Sequence, residues 1–397
     1  MRSLHSRIQY LSARVGMNIQ SITLYPCSIP LKQPVITSFG KMLARSSLLV
    51  AVTDSAGNIG WGECWCNFPS GGMAYKVRLY EDTLAPRLPK QSDLTPTQIS
   101  KHLTAALRVI GCQTGDHGAI AQVIAGLDIA LWDLSAKQHN QPLAALLNPH
   151  YRKELPMYAS GVDRKEIDAR IDAGRQLGIR GYKLKVGFSP DEDLHAIDTF
   201  LARLDADESL AIDANQGWTF DVAHAVIPAI PREIQWIEEP ILADEPYEKW
   251  LALQDLTGIP LSGGENYLHE NAYLNYFNAP SKPFDILQPD ACKWGGVTGV
   301  SALFPAIKAA GINFYPHFLG SAVGLAASAH LLAAEGGSGL LEYDIQPNAL
   351  RDALAQEALP IHKGLYQITE TGGHGVTPDP DVLKTWCDHP IELELPN

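Results

Sequence analysis

Seven ionisable residues recur at nearly constant spacing through the middle of this 397-residue chain. They are Lys185, Asp213, Glu238, Glu265, Asp290, His317 and Glu342, with gaps of 28, 25, 27, 25, 27 and 25 residues. Each stands at the end of a short apolar run. One strand, one helix and two connections take about 25 to 30 residues, the size of a βαβ repeat. The beat therefore predicts parallel strands whose C-terminal ends each carry a polar side chain. In a (β/α)8 barrel those ends converge on one open face, where reactive groups gather. The fold class that follows is α/β, a TIM-type barrel with its chemistry at one rim.

Strand-like runs fall at 155–160, 182–186, 210–214, 234–237, 260–262, 285–287, 312–315 and 339–341, with helical patterns between them at 164–177, 190–204 and 300–310. Ahead of these, 18–26 and 47–54 read as strands, and Ser55-Ala56-Gly57-Asn58 as a hairpin turn into a third strand at 59–64. Helices follow at 74–85, 97–109 and 119–137. The predicted division is an α+β capping domain over 17–150, a barrel over 151–350, and a segment over 351–397 that folds back on the cap. Residues 1–16 carry Arg2, Arg7 and Arg14 without an apolar core. They read as a disordered extension ahead of Met17, not as a secretory signal.

A net charge of −13 argues against a nucleic-acid partner. It leaves an anionic substrate open, because a metal and nearby lysines invert the local field. No apolar run reaches the roughly 18 residues that span a bilayer, so no membrane helix is expected. Six scattered cysteines imply reduced thiols in a cytoplasm, with Cys64 and Cys66 as two strand residues on one face.

Asp213, Glu238 and Glu265 end three consecutive predicted strands, about 4.8 Å apart in a sheet. All-oxygen ligands in register suit a hard cation, Mg²⁺ before Mn²⁺. Taken singly, each acid reads as a cap for the following helix. Glu239 is expected to point outward or to bond the backbone. Lys183 and Lys185 alternate on one strand and face the interior. Burial and mutual repulsion predict lowered lysine pKa values, suited to a general base. Asp290 and His317 end neighbouring strands, so the acid holds one imidazole nitrogen and leaves the other for substrate. Glu342, if protonated, donates to a developing oxyanion. The chemistry expected is removal of the proton next to a carboxylate, with the charge stabilised by metal, Lys183 and Glu342.

This constellation resembles the enolase superfamily, in particular its mandelate racemase subgroup. The matching residues are Lys183-Leu184-Lys185, Asp213-Ala-Asn215, Glu238-Glu239-Pro240, Gly264-Glu265-Asn266, Asp290 with Lys293, His317 and Glu342. The cap adds Trp61-Gly62-Glu63 and the stretch Gly126 to Asp133. The resemblance implies Mg²⁺ on Asp213, Glu238 and Glu265, with Lys185 as base on one face and the His317–Asp290 dyad on the other. It further implies that Glu342 contacts the substrate carboxylate, that Lys183 stabilises an enediolate, and that Asn215 lies near metal and substrate. Lys293 is taken as structural or as support for the dyad.

Such enzymes dehydrate sugar acids, racemise 2-hydroxy acids or cycloisomerise lactones. Dehydration of a sugar acid is preferred here. Loops at 37–41 and 64–72 read as lids, and Lys41, Arg45 and Trp65 as substrate contacts. The partners expected are a small carboxylate and further copies of the chain. A non-catalytic metal-binding barrel and a Schiff-base aldolase remain as competing readings.

Overall fold

The computed structural model describes residues 17–38, 40–89 and 94–396. The expectations for 1–16 and for Phe39 in the first lid lie outside the described residues.

Strands β1 (Ile19–Thr37), β2 (Gly40–Asp54) and β3 (Ile59–Trp65) form an antiparallel meander. Its β2–β3 turn is fixed by Asp54, whose Oδ1 accepts the N–H groups of Ala56 and Asn58 at 2.9 and 2.8 Å. Pairing of β2 with β3 stops at Ser47↔Trp65, whereas β1 and β2 stay paired out to Thr37↔Gly40. The excess is a two-stranded arm, and it makes both strands longer than the sequence reading expects. At its tip, Ser38 donates to the Asn215 carbonyl on the barrel rim, 3.1 Å away.

Alternation along β3 sorts its side chains between two layers. Gly60, Gly62 and Cys64 face the helix His117–Gln138. A methyl on Gly62 would stand 2.1 Å from the Gly126 carbonyl oxygen, and one on Gly60 2.1 Å from that of Ala130. Trp61, Glu63 and Trp65 point the other way, toward the barrel. The helix itself spans 22 residues and is long and apolar enough to cross a membrane, which corrects the expectation that no segment is. Yet 83% of its apolar window is buried inside the protein. It is apolar all round because it is enclosed all round.

The barrel runs through β4 (Glu154–Val162), β5 (Gly181–Lys185), β6 (Ser209–Asp213), β7 (Ile237–Glu238), β8 (Leu261–Gly263), β9 (Ile286–Leu287), β10 (Asn313–Phe314) and β11 (Leu341–Asp344). Each pairs in parallel with the next as far as β10, and β11 returns to β4. At the β10–β11 seam the backbones press together. A Cβ on Gly339 would lie 2.0 Å from the Phe314 carbonyl oxygen. Inside, Tyr158, Ala211, Trp236 and Ile286 fill a layer beneath the rim. Trp236 stacks edge-on against Tyr158 and Tyr315, at 5.2 and 5.5 Å between ring centroids. The rim therefore has a solid floor. The single helix expected at 300–310 is two, Gly296–Ser301 and Phe304–Ala310, because Pro305 has no N–H to continue the first.

After β11 the chain makes a hairpin, β12 (Ile361–His362) and β13 (Leu365–Gln367), and β13 pairs with the start of β4. It then crosses to the cap, where β14 (Ile391–Glu392) pairs antiparallel with β1. Cys27 and Cys387, 360 residues apart, are joined there in a disulfide. This corrects the reading of six free thiols. Their proximity is created by the returning tail and leaves no mark in sequence spacing. Cys64, Cys66, Cys112 and Cys292 are free.

Candidate active site

Lys185, Asp213 and Glu238 terminate β5, β6 and β7, Glu342 lies within β11, and Glu265, Asp290 and His317 follow β8, β9 and β10 within three residues. The beat thus delivers all seven to one rim. Just past the ends of β6 and β7, three non-glycine residues have left-handed backbone: Asn215 (φ 42°), Gln216 (φ 61°) and Glu239 (φ 37°). Strain of this kind is held by surrounding structure and collects at working sites.

At one end of the rim, Lys185 Nζ lies 2.5 Å from Asp213 Oδ2 and donates to Asn215 Oδ1 at 2.7 Å. Lys183, fully buried, sits between Glu238 (2.6 Å), Glu342 (2.9 Å) and Asp213 (3.7 Å). Glu238 is held from below by Gln288 Nε2 at 2.6 Å and Trp236 Nε1 at 3.3 Å. At the other end, His317 bridges Asp290 through Nδ1 (2.8 Å) and Glu265 through Nε2 (2.6 Å). Asp290 is itself oriented by the N–H groups of Cys292 and Lys293. Lys293 Nζ lies 3.2 Å from Glu265, and Asn266 Nδ2 donates to Glu265 and to both oxygens of Glu239.

Several expectations change. Asp213, Glu238 and Glu265 are each engaged by ammonium or imidazole groups. Among the described residues no three His, Cys, Asp or Glu side chains are arranged as a cation site. The second imidazole nitrogen meets Glu265 rather than open space. Glu239 is fully buried and faces Asn266, not solvent. Burial pulls the lysines down, but the facing carboxylates win. Lys183 is held well above its ordinary pKa, by Glu238 first, and Lys185 above it, by Asp213 first. Despite burial, Lys183 and then His317 hold Glu342 below the carboxylate range, so it is ionised and accepts. Burial opposes charge on His317, yet Glu265 and Glu342 raise it to about 10, making it an imidazolium.

The donor chemistry still suits a hard divalent cation. Six buried carboxyl groups (Asp213, Glu238, Glu239, Glu265, Asp290, Glu342) face three ammonium groups and one imidazole. With all six ionised, negative charge would be in excess even with His317 protonated. Burial and the neighbouring acids push Glu238 up to about 7 in spite of Lys183, and push Glu239 well up. A dication on the all-oxygen set of Asp213, Glu238 and Glu265 would relieve that excess.

Of the expected substrate contacts, Asn215 joins Lys185. Lys41 lies exposed on the arm. Arg45 is buried and paired with Asp344 at 2.8 Å, so its charge is engaged within the protein. The Trp65 ring stands between two ammonium groups, Lys293 at 4.9 Å and Lys76 at 5.1 Å from its centroid. The sequence reading does not single out Trp236 and Gln288. Their signal is positional: each lies two residues before a rim acid, on the same strand face.

Comparison with known proteins agrees with this architecture. Residues 20–148 match the N-terminal domain of the mandelate racemase / muconate lactonizing enzyme family, and 166–382 match the enolase C-terminal domain-like family. The D-galactarolactone cycloisomerase of Agrobacterium fabrum is 28% identical over 92% of this chain and 98% of its own length. The L-talarate/galactarate dehydratase of Salmonella typhimurium is 28% identical over 92% of this chain and 90% of its own. A solved structure of that dehydratase with Mg and L-lyxarohydroxamate has a TM-score of 0.80 at 24% identity, covering 96% of both chains. The crystal structure of a mandelate racemase/muconate lactonizing enzyme from Bordetella bronchiseptica has a TM-score of 0.84 at 37% identity, covering 92% of this chain and 99% of the other. The chain therefore belongs to the mandelate racemase / muconate lactonizing enzyme family of the enolase superfamily, and is an enzyme of lyase or isomerase type.

Proposed function

We propose that the rim removes the proton α to a carboxylate with Mg²⁺ as cofactor, and that the reaction is dehydration of a sugar acid, a 2,3-dihydroxy acid giving a 2-keto-3-deoxy acid. One observation carries this reading. Lys185 and the His317–Asp290 dyad reach opposite ends of one arc of carboxylates, at Asp213 and at Glu265. A substrate lying across the arc meets one group from each side.

Asp213, Glu238 and Glu265 are the residues that would hold Mg²⁺. When bound, the cation would supply charge stabilisation to the substrate carboxylate, and the Asp213 oxygen that now pairs with Lys185 would be among its ligands. Lys185 would take the α-proton as the neutral amine, a form it reaches only when its ion pair with Asp213 is given up. Lys183 donates to the carboxylate oxygen as negative charge develops, with ionised Glu342 keeping that ammonium in place. His317, an imidazolium, protonates the departing β-hydroxyl, which leaves as water. The enol then becomes the keto acid. Asn215, Lys41 and Trp65 complete the proposed substrate surroundings, with Arg45 held on Asp344. Relatives named as cycloisomerase and N-succinyl-L-Arg/Lys racemase keep a second reading alive. In it His317 returns a proton to carbon or serves cyclisation.

The proposal includes the division 17–150, 151–350 and 351–397, a homo-oligomeric state and a cytoplasmic location, tested by limited proteolysis, light scattering and cell fractionation. The reaction is tested with a sugar-acid library at saturating Mg²⁺, scoring keto acid and α-proton exchange in D₂O. Lys185→Ala should lose exchange from one face and His317→Asn from the other, by about 10²- to 10⁴-fold each. No exchange and no product from any acid would sink the reading.

A further inference from the structure

We propose that Glu63, a side chain of the cap, is a positioning residue for His317, so that the cap completes the proton-transfer face of the barrel. The inference rests on the reaction proposed above for its kinetic readout, though not for its structural one.

Residues 315–321 lie outside strand and helix, with Tyr315 donating to the Leu287 carbonyl at one end and Ser321 accepting from Leu325 at the other. Their backbone is held by side chains from other parts of the chain. Glu63 Oε1 accepts the Ser321 N–H at 2.8 Å. Its Oε2 accepts the Ser321 hydroxyl at 2.7 Å and the Gly324 N–H at 2.8 Å. Asn67, also from the cap, donates to the Leu319 carbonyl at 2.7 Å. Asn348 donates to the Gly320 carbonyl at 2.8 Å. His317 is four residues from Ser321, and its ring is otherwise tied to the acids Asp290 and Glu265. The cap thus grips the short segment that carries the imidazole.

Two features show that the grip is built. Glu63 is 1% exposed, and its remaining partner is another donor, the Ser47 hydroxyl at 2.8 Å. Every partner donates, which demands an acceptor on both oxygens. The receiving segment is cut to fit it. A Cβ on Gly320 would stand 2.4 Å from Glu63 Oε1, and one on Gly324 2.6 Å from Oε2. The opposite face of β3 is closed against the helix His117–Gln138 by Gly60 and Gly62, so alternation aims Glu63 at the barrel.

Glu63→Gln keeps the size and turns one acceptor oxygen into an N–H₂ group facing donors. The measurements are α-proton exchange of each stereoisomer of an acid the parent enzyme exchanges, amide hydrogen exchange across 315–324, and the His317 imidazole resonances. Misplacement of a reacting group by about 1 Å costs about 10²-fold. Exchange through the His317 face should therefore fall about 100-fold, with KM and the Lys185 face within about threefold. Amide protection over 318–324 should fall about tenfold, with the His317 resonances shifted and the rest of the barrel unchanged. Equal loss on both faces, no loss on either, or unchanged amide protection overturns the proposal. If Glu63→Gln does not fold, Ser321→Ala removes one donor and should give a smaller loss of the same face selectivity; a loss without that selectivity overturns it. If the parent enzyme exchanges no acid, the proposed reaction fails, and amide exchange with the imidazole resonances still decides the role of Glu63.

Discussion

Gln288 carries no chemistry of its own, yet its Nε2 fixes one oxygen of Glu238 from beneath the rim. Residues that orient a metal-binding carboxylate change affinity by about 10- to 100-fold when lost. Gln288→Leu should weaken Mg²⁺ binding by about that factor, read by calorimetric titration. His330 makes a different prediction. It is buried in the last barrel helix, where its Nδ1 accepts the Ala144 N–H at 3.0 Å, and burial lowers its pKa to about 3. The folded chain keeps it neutral while the unfolded chain protonates it below about 6.5. Its contribution is therefore intact above pH 6.5 and is lost as pH falls toward 3. From pH 6.5 to 5 the loss should be about 1–2 kcal/mol. His330→Asn, which keeps an acceptor but does not titrate, should flatten that slope in urea melts at the two pH values.

Elements divide into those announced by pattern and those made by contact. The rim acids were legible because strand alternation and a constant repeat leave a trace every 25 to 28 residues. The engaged state of Lys183, Arg45 and Glu239 was not, because it depends on which neighbours meet across the barrel. The arm beyond Ser47 was missed for a related reason: its side chains lack the buried alternation that marks a sheet strand. Strand β3 shows the second kind of signal in its glycines. Gly62→Ala drives a methyl into the Gly126 carbonyl and should cost at least about 3 kcal/mol. Gly57 has open space around it but a φ of 85°, so Gly57→Ala should cost about 1–2 kcal/mol from backbone alone. Denaturant midpoints of the two variants separate steric from conformational cost.

At the scale of the whole molecule, one buried acid ties three regions. Asp133 accepts the Trp61 N–H of β3 and the His374 N–H of the tail, both at 2.8 Å, and meets Lys137 on its own helix at 2.7 Å. On the same helix, Asp128 accepts both the hydroxyl and the N–H of Thr298, which belongs to a barrel helix. Asp133→Asn leaves one of two buried N–H groups facing a donor and should lower stability by about 3 kcal/mol. Urea unfolding followed by circular dichroism measures it. The tail's return has a separate consequence. Because Leu24 pairs with Ile391 and Thr23 with Glu392, the chain comes back to lie beside its own first strand. Its connectivity is close to a ring. Splicing residue 396 to residue 17 and reopening the chain between Ala56 and Gly57 would give a circular permutant that keeps every rim residue in its place.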